Sequence, residues 1–464
     1  MKHRPSPRDR FEEKYVLWNE RFAQGKALRE RVPRETHAGW TPPRNRPDPV
    51  DLLIESNQTR LPELVPIRHG RMLTSPFAYL RGAANVMAWD LSRTPTTGIR
   101  VQAGGDCHLM NFGAFATPER RLIFDVNDFD ETLPAPWEWD LKRLAASFAV
   151  AAKYIGLRRG EARNASRAAV RSYRKSMDGY AHMRVLDVWY DYIDVEKLIR
   201  TLPSTRWKKD WQTQAIKARE HSVAEHDFPK LVVRKSRKPR IKDNPPLIYH
   251  APGVNSRDFH ESVTEAHFAY LQTLQPHHRV LIDRYKLRDV AMKVVGVGSV
   301  GTFCAIALLM ASPDDPMFLQ IKQANPSVLE PYAGKSEYRN HGERVVTGQR
   351  FMQAASDIFL GWSSSPSIGH DFYVRQLRDR KISIVLETMD DETLRYYAKL
   401  CGHVLARAHA RSGDAAVIAG YLGSSAVFDE ALADFAMEYS AQTDRDHKAL
   451  ADAVRSGRIK AVSE

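Results

Sequence analysis

The spacing of apolar residues changes several times along the chain. Phe77, Leu80, Ala84, Met87 and Leu91 recur every three or four positions, which predicts a helix from Ser75 to Leu91, interrupted at Arg81-Gly82. A strand, Ile99 to Ala103, then meets the pair Gly104-Gly105. A hairpin follows: Ala114 to Ala116, a turn at Thr117-Pro118-Glu119, and Arg121 to Val126. Leu141, Leu144, Ala145, Phe148 and Ala152 share one face of a predicted helix from Trp137 to Tyr154. More helices fill 161–227, and another runs from Ser262 to Gln275. From Val280 to Leu377 short β-branched and aromatic runs predict strands at Val290 to Val295, Thr302 to Met310, Met317 to Lys322 and Phe372 to Leu377, with a helix from Gly342 to Leu360. Ile382 to Leu386 reads as a further strand. The long helices Glu392 to Ala410 and Phe428 to Ser440 close the chain.

These textures divide the chain into four parts. Residues 1–70 are Pro- and Arg-rich and read as an extended arm with a short helix near Arg10 to Lys26, wrapping a core built elsewhere. Residues 71–279 form a mainly helical lobe, 280–390 a β-rich lobe, and 391–464 helices that return to the helical lobe. The fold class expected is α+β.

Charge changes the picture in one place. The chain carries 69 Lys plus Arg against 56 Asp plus Glu, a net +13. Arg206 to Lys242 alone holds 12 basic and 4 acidic residues. The excess favours anionic partners, nucleic acid among them, with Trp207 and Trp211 interleaved. A solvated basic loop is the plainer reading, and Val233 to Pro246 reads as loop. Cys107, Cys304 and Cys401 are isolated, as in a reducing compartment. No apolar run approaches the roughly 20 residues of a membrane span. A cytoplasmic protein without a membrane span is therefore expected.

Four constellations could carry chemistry. Asp106-x-x-x-x-Asn111 follows a strand and a glycine pair. In phosphoryl transfer that spacing lets Asp106 accept a hydroxyl proton while Asn111 reaches a divalent cation; an Asx-turn uses the same residues. Asp125-x-x-Asp128-Phe129-Asp130 clusters carboxylates at a hairpin mouth, which is costly without a cation. Gly296-x-Gly298-Ser299-x-Gly301 lies between two strands, so it reads as a kinase-type phosphate loop rather than a Rossmann turn. Lys322, on the strand beyond it, could pair with phosphates, with Glu343 as its carboxylate partner and Glu330 second; a snorkelling lysine is the bland alternative. The glycine loop and lysine follow the catalytic-type loop, the reverse of the kinase order, which implies circular permutation. Glu392 to Ala410 then stands for the helix that normally enters that loop.

The blocks Gly105-Asp106-Cys107-His108-Leu109-Met110-Asn111-Phe112-Gly113, Phe124 to Glu131 and Trp137 to Leu144, with Ser75-Pro76-Phe77, Arg81-Gly82, Gly348-Gln349-Arg350 and Tyr373 to Leu377, resemble a bacterial family catalogued as domain of unknown function 2252. More distantly, Asp106, His108, Asn111 and Asp140-Leu141 are similar to aminoglycoside- and choline-kinase-like phosphotransferases. Gly104 stands where that pattern has His, and Asp130 where it has Gly. That likeness implies a protein-kinase-like two-lobe fold and an ATP- and Mg²⁺-dependent phosphotransferase acting on an unknown acceptor. Asp106 would be the base, and His108 a second base or a structural donor. Asn111 and Asp128, or alternatively Asp125, would hold magnesium. Gly296, Gly298, Ser299 and Gly301 would cover the phosphates, and Lys322 would hold them. Nucleotidyl transfer, an inactive nucleotide or anionic-partner binder, and a two-metal phosphoesterase are the competing readings. The last lacks the extra His and Asn ligand blocks it needs.

Overall fold

In the computed structural model the described residues are 15–462, apart from 203, 221–227, 236–237, 251–256, 295, 366–368, 378–380 and 383. They form an α+β structure. Its centre is the helix Trp137–Tyr154, with Arg159–His182, Asp391–Ser412 and Val427–Arg455 packed around it. The expected apolar face is fully buried, but so is the opposite face: Glu138, Asp140, Lys142 and Arg143 are all at or below 1% exposure. A buried charge is tolerable only when it is satisfied. Glu138 accepts from the Thr97 N–H and hydroxyl at 2.7 and 2.6 Å, and Lys142 donates to Pro95 O at 3.3 Å. Asp140 and Arg143 reach the loop after Ala103. Polar residues on this helix therefore fasten loops instead of meeting water.

The N-terminal segment is more helical than its composition predicts. The helix Trp18–Arg31 lies on Ala415–Leu422, and Arg29 Nε donates to Tyr421 O at 2.8 Å. Pro49–Ser56, Val65–Leu73 and Pro76–Gly82 follow, and Leu53 and Met72 pack against Leu450 of the last long helix. Proline at the first turn of all three costs nothing there, because that N–H has no helical partner. The expected helix from Ser75 to Leu91 is broken after Gly82 and resumes at Ala84–Leu91.

The second layer is a six-stranded antiparallel sheet, ordered Gly361–Ser365, His370–Gln376, Asp315–Ala324, Cys304–Ser312, Lys286–Lys293, Ile248–Tyr249. Cys304–Ser312 is nearly all apolar because both its faces are covered. Ile306, Leu308 and Met310 lie under Val232 and Ile241, while Ala307 and Leu309 lie in the cluster with Tyr270 and Leu274. The basic stretch read as a loop thus contains a hairpin, Val232–Lys235 with Lys238–Ile241, whose apolar residues roof the sheet. Trp207 and Trp211 are core residues, 8% and 2% exposed, and are not available for stacking on bases.

Three further differences bear on the site. The helix expected from Gly342 to Leu360 is His341–Met352, and Gly361–Ser365 beyond it is a sheet edge. The strand expected at Ile382 to Leu386 is the two-residue Lys381–Ile382, which pairs with Phe115 and Ala114 in the hairpin sheet rather than in the large one. The sheet also recruits Ile248–Tyr249 and rests on Arg257–Gln272, both from chain assigned to the helical lobe. Among the described residues, no single helix is long and apolar enough to cross a membrane.

Candidate functional site

An open cleft lies between the helical body and the glycine loop. Its floor is the loop after Arg100–Ala103. Gly105 has φ +78° and approaches the Glu131 backbone so closely that a Cβ would strike it. Asp140 accepts the N–H groups of Gly104 and Gly105 at 2.6 and 2.9 Å, and His409 Nε2 lies 3.2 Å from the same carboxylate. Burial raises the Asp140 pKa, but these hydrogen bonds and His409 hold it below the ordinary value. Asn111 Nδ2 donates to Asp106 O at 2.7 Å, which closes the loop and leaves the amide oxygen as the donor for a cation.

Asp106 lines the cleft with 21% of its side chain exposed. Oδ1 accepts from Arg143 Nε at 2.5 Å, while Oδ2 lies 3.9 Å from His108 Nε2. Burial pushes its carboxyl up to about 7, against the pull of Arg143 and with the Asp128 charge adding to the rise. His108 is 4% exposed, and its Nδ1 accepts from Met110 N at 3.2 Å. Burial, with Arg81 and Arg143 nearby, lowers its pKa strongly, so the ring is neutral and carries its proton on Nε2. His108 thus orients the Asp106 loop rather than competing as a base. Cys107 is 1% exposed with its thiol pushed up by burial, a packed residue and no nucleophile.

The acidic hairpin end separates into two environments. Asp125 is fully buried. Its Oδ1 binds Arg407 Nη2 at 2.5 Å and its Oδ2 accepts Ala354 N at 2.8 Å. Both oxygens are committed away from the cleft, so the alternate metal residue is a structural anchor. Asp128, by contrast, lines the cleft half-buried, and its Oδ1 accepts the Asp130 N–H at 3.3 Å. Asp130 takes Lys322 Nζ at 2.6 Å, the Tyr373 hydroxyl at 2.6 Å and Ser299 Oγ at 3.4 Å. Burial raises the Asp130 pKa, but Lys322 and these hydrogen bonds outweigh it and leave the carboxylate below its usual range. Lys322 is correspondingly raised: burial opposes its charge, and Asp130 more than compensates.

Lys322 therefore pairs with Asp130 and not with Glu343 or Glu330. Glu343 sits in the first turn of its helix, its N–H capped by Asn340 Oδ1 at 3.0 Å. Glu330 Oε1 faces His341 Nδ1 at 3.8 Å. The helix His341–Met352 grips the acidic loop through Arg344 instead, which donates to Thr132 O, Asp130 O and Asn325 O at 2.6, 2.9 and 2.7 Å. Lys322 itself stands behind the cleft wall at 3% exposure and reaches it through Asp130.

Gly296, Gly298 and Ser299 do face Asp106, Asn111 and Asp128 across the cleft. Among the described residues the N–H groups of Gly298 and Ser299 have no partner. Gly301 stands at the loop's foot with φ +89°, its carbonyl held by Leu61 N at 2.7 Å. The N-terminal segment clamps this loop: Arg60 donates to Val300 O at 2.6 Å and Arg71 to Gly296 O. Arg60, Arg68 and Arg81 line the cleft as well, and no sequence motif had singled them out as ligands. The hints were an arginine-rich arm for Arg60 and Arg68 and the break of a helix at Arg81-Gly82. No group of three or more His, Cys, Asp or Glu side chains among the described residues is arranged to hold a metal alone.

A family profile described as "Uncharacterized protein conserved in bacteria (DUF2252)" matches residues 60–453. No curated protein and no solved structure matches the chain.

Proposed function

We propose, from the premise that the chain belongs to the bacterial family DUF2252, that its cleft transfers a phosphoryl group from ATP to an acceptor hydroxyl, on a kinase-like two-lobe fold with circularly permuted order. The observation that carries this reading is the Lys322–Asp130 pair at 2.6 Å, which joins the glycine-loop sheet to the loop bearing Asp128 and sets Gly298 opposite Asp106. Permutation is supported at the loop's entrance. Ser412, at the end of the helix Asp391–Ser412, accepts from Gln102 N at 3.0 Å, so a late helix leads in space into an early loop.

Asp106 accepts the acceptor's hydroxyl proton as that oxygen bonds to the γ-phosphorus. The bond from this phosphorus to the β–γ bridging oxygen breaks, and ADP leaves with the electron pair. A carboxyl near 7 suits a base working near neutrality. The free N–H groups of Gly298 and Ser299 would meet phosphate oxygens. The Asn111 amide oxygen and the Asp128 carboxylate are hard oxygen donors that fit magnesium, with phosphates and water completing its shell, since no all-protein cage is present among the described residues. Magnesium there would neutralise phosphate charge. Lys322 positions Asp130 rather than touching the phosphates directly.

The test is a thermal-shift titration with ATP, with and without magnesium. The wild type should be stabilised by the pair together, and Asp128→Ala should lose the effect. No magnesium-dependent shift at millimolar nucleotide would end the reading. The Arg143 bond to Asp106 favours one alternative, a nucleotide binder that does not transfer. It would bind identically but release no ADP with any acceptor. Transfer of the nucleotidyl moiety would release pyrophosphate instead.

A further inference from the structure

Three carboxylates of the cleft are held by bonded partners, whereas three of its arginines have no ion pair among the described residues. Asp106 is held by Arg143, Asp130 by Lys322, and Glu131 Oε2 accepts Val328 N at 2.7 Å. On the facing wall, Arg68 is 1% exposed and donates to Asn57 Oδ1 at 2.5 Å and Gly82 O at 2.7 Å, while its Nε has no partner. Arg81, half-buried beside Asp106 and His108, also has an orphaned Nε. Arg60 spends its bonds on the Ser56 and Val300 carbonyls. Among the described residues none of the three is ion-paired. Burial lowers the basicity of Arg68, and the nearby Arg60 lowers it further.

Arg60 feels Glu131 and Asp130, and Arg81 feels Asp106 and Glu387, but none of these carboxylates is bonded to them, and the fully buried Arg68 has no acid beside it among the described residues. A buried guanidinium without a bonded counter-charge is costly unless something brings it negative charge. We infer that Arg60, Arg68 and Arg81 form an oxyanion subsite for the acceptor, which therefore carries a phosphate group of its own. Guanidinium forks match the oxygens of phosphate in geometry and charge. Arg81 sets that group beside Asp106, where the acceptor hydroxyl must lie if Asp106 takes its proton. Neutral sugars and polyamine-like acceptors do not meet this demand. The inference deepens the phosphotransfer reading and relies on it for the word acceptor, whereas the anion site stands on the arginines alone.

Isothermal titration of inorganic phosphate into the full chain, saturated with magnesium and a non-hydrolysable ATP analogue, tests it. Phosphate should bind alongside the analogue. Arg81→Gln should weaken it by about tenfold, the loss of roughly one charge-assisted hydrogen bond, while analogue affinity holds. Arg68→Met should weaken it further; if that variant does not fold, Arg81→Gln carries the test, because Arg81 has no hydrogen bond to lose among the described residues. Competition between phosphate and the analogue would overturn the proposal, since the arginines would then hold the ATP tail. So would no phosphate binding at millimolar concentration, or unchanged affinity in Arg81→Gln. Arginine-dependent phosphate binding in a protein that ignores the analogue would uphold the anion site and remove the nucleotide reading alone.

Discussion

Asp125 and Asp128 leave the same strand end and meet opposite surroundings. Asp125, sealed in the core, has Arg407 and Ala354 N on its two oxygens. Asp128 looks into the cleft and, among the described residues, keeps only the Asp130 N–H at 3.3 Å. Residue type and position in the hairpin are nearly the same. What differs is whether a cation from the chain has already claimed the carboxylate. A carboxylate left unpaired at the cleft is free to meet a ligand, and one paired in the core lends rigidity.

The strongest way to break this contrast is to disarm the sealed end. Arg407→Met leaves the Asp125 charge buried and alone, and should cost about 3–5 kcal/mol in urea unfolding. A loss under about 1 kcal/mol would mean that the pair does not anchor the hairpin. Asp106→Asn should lower phosphoryl transfer by about 10²–10⁴-fold while magnesium-dependent nucleotide binding persists. Equal loss of both would recast Asp106 as part of the binding site. Asp128→Ala, at the open end, should shift unfolding by no more than about 0.5–1 kcal/mol even as it abolishes the magnesium effect. A large destabilisation would erase the distinction between the two aspartates.

The smallest effect is that of pH. If Asp106 works as a carboxylate, transfer should fall about tenfold per pH unit below about 7 and level off above it. The linkage to stability runs the other way. A carboxyl raised from 3.8 to about 7 holds its proton more tightly when folded, so its contribution is complete below 3.8 and is lost as pH rises to about 7. Asp130, lowered by Lys322, contributes above its unfolded value and loses that contribution on acidification. Asp106→Asn should flatten the rate profile; a profile still breaking at 7 would assign the base elsewhere.

The central helix, the hairpin and four strands of the large sheet were legible because their spacing of apolar residues answers to burial along one element. Asp106, Asn111, Asp128 and the glycine loop were legible as local patterns, and they do converge on one cleft. Glu343 was misplaced because a lysine's counter-charge can come from any loop that reaches it, and here Asp130 does. Arg60 and Arg68 were missed because nothing in a proline-rich segment states which wall it will cover, and Arg81, singled out as a helix interruption and within a family block, because neither says what the side chain will face.

By itself the sequence determined which segments become helices and strands, since periodicity is a property of neighbours along the chain. It also set the chemical repertoire of the two loops. Only the tertiary structure decided which charges neutralise one another: Asp125 with Arg407, Asp130 with Lys322, Asp106 with Arg143, and no bonded ion pair for Arg81 among the described residues. Coulombic pairing depends on distance in space and on the exclusion of water, and residues far apart in the chain acquire both only when the chain folds.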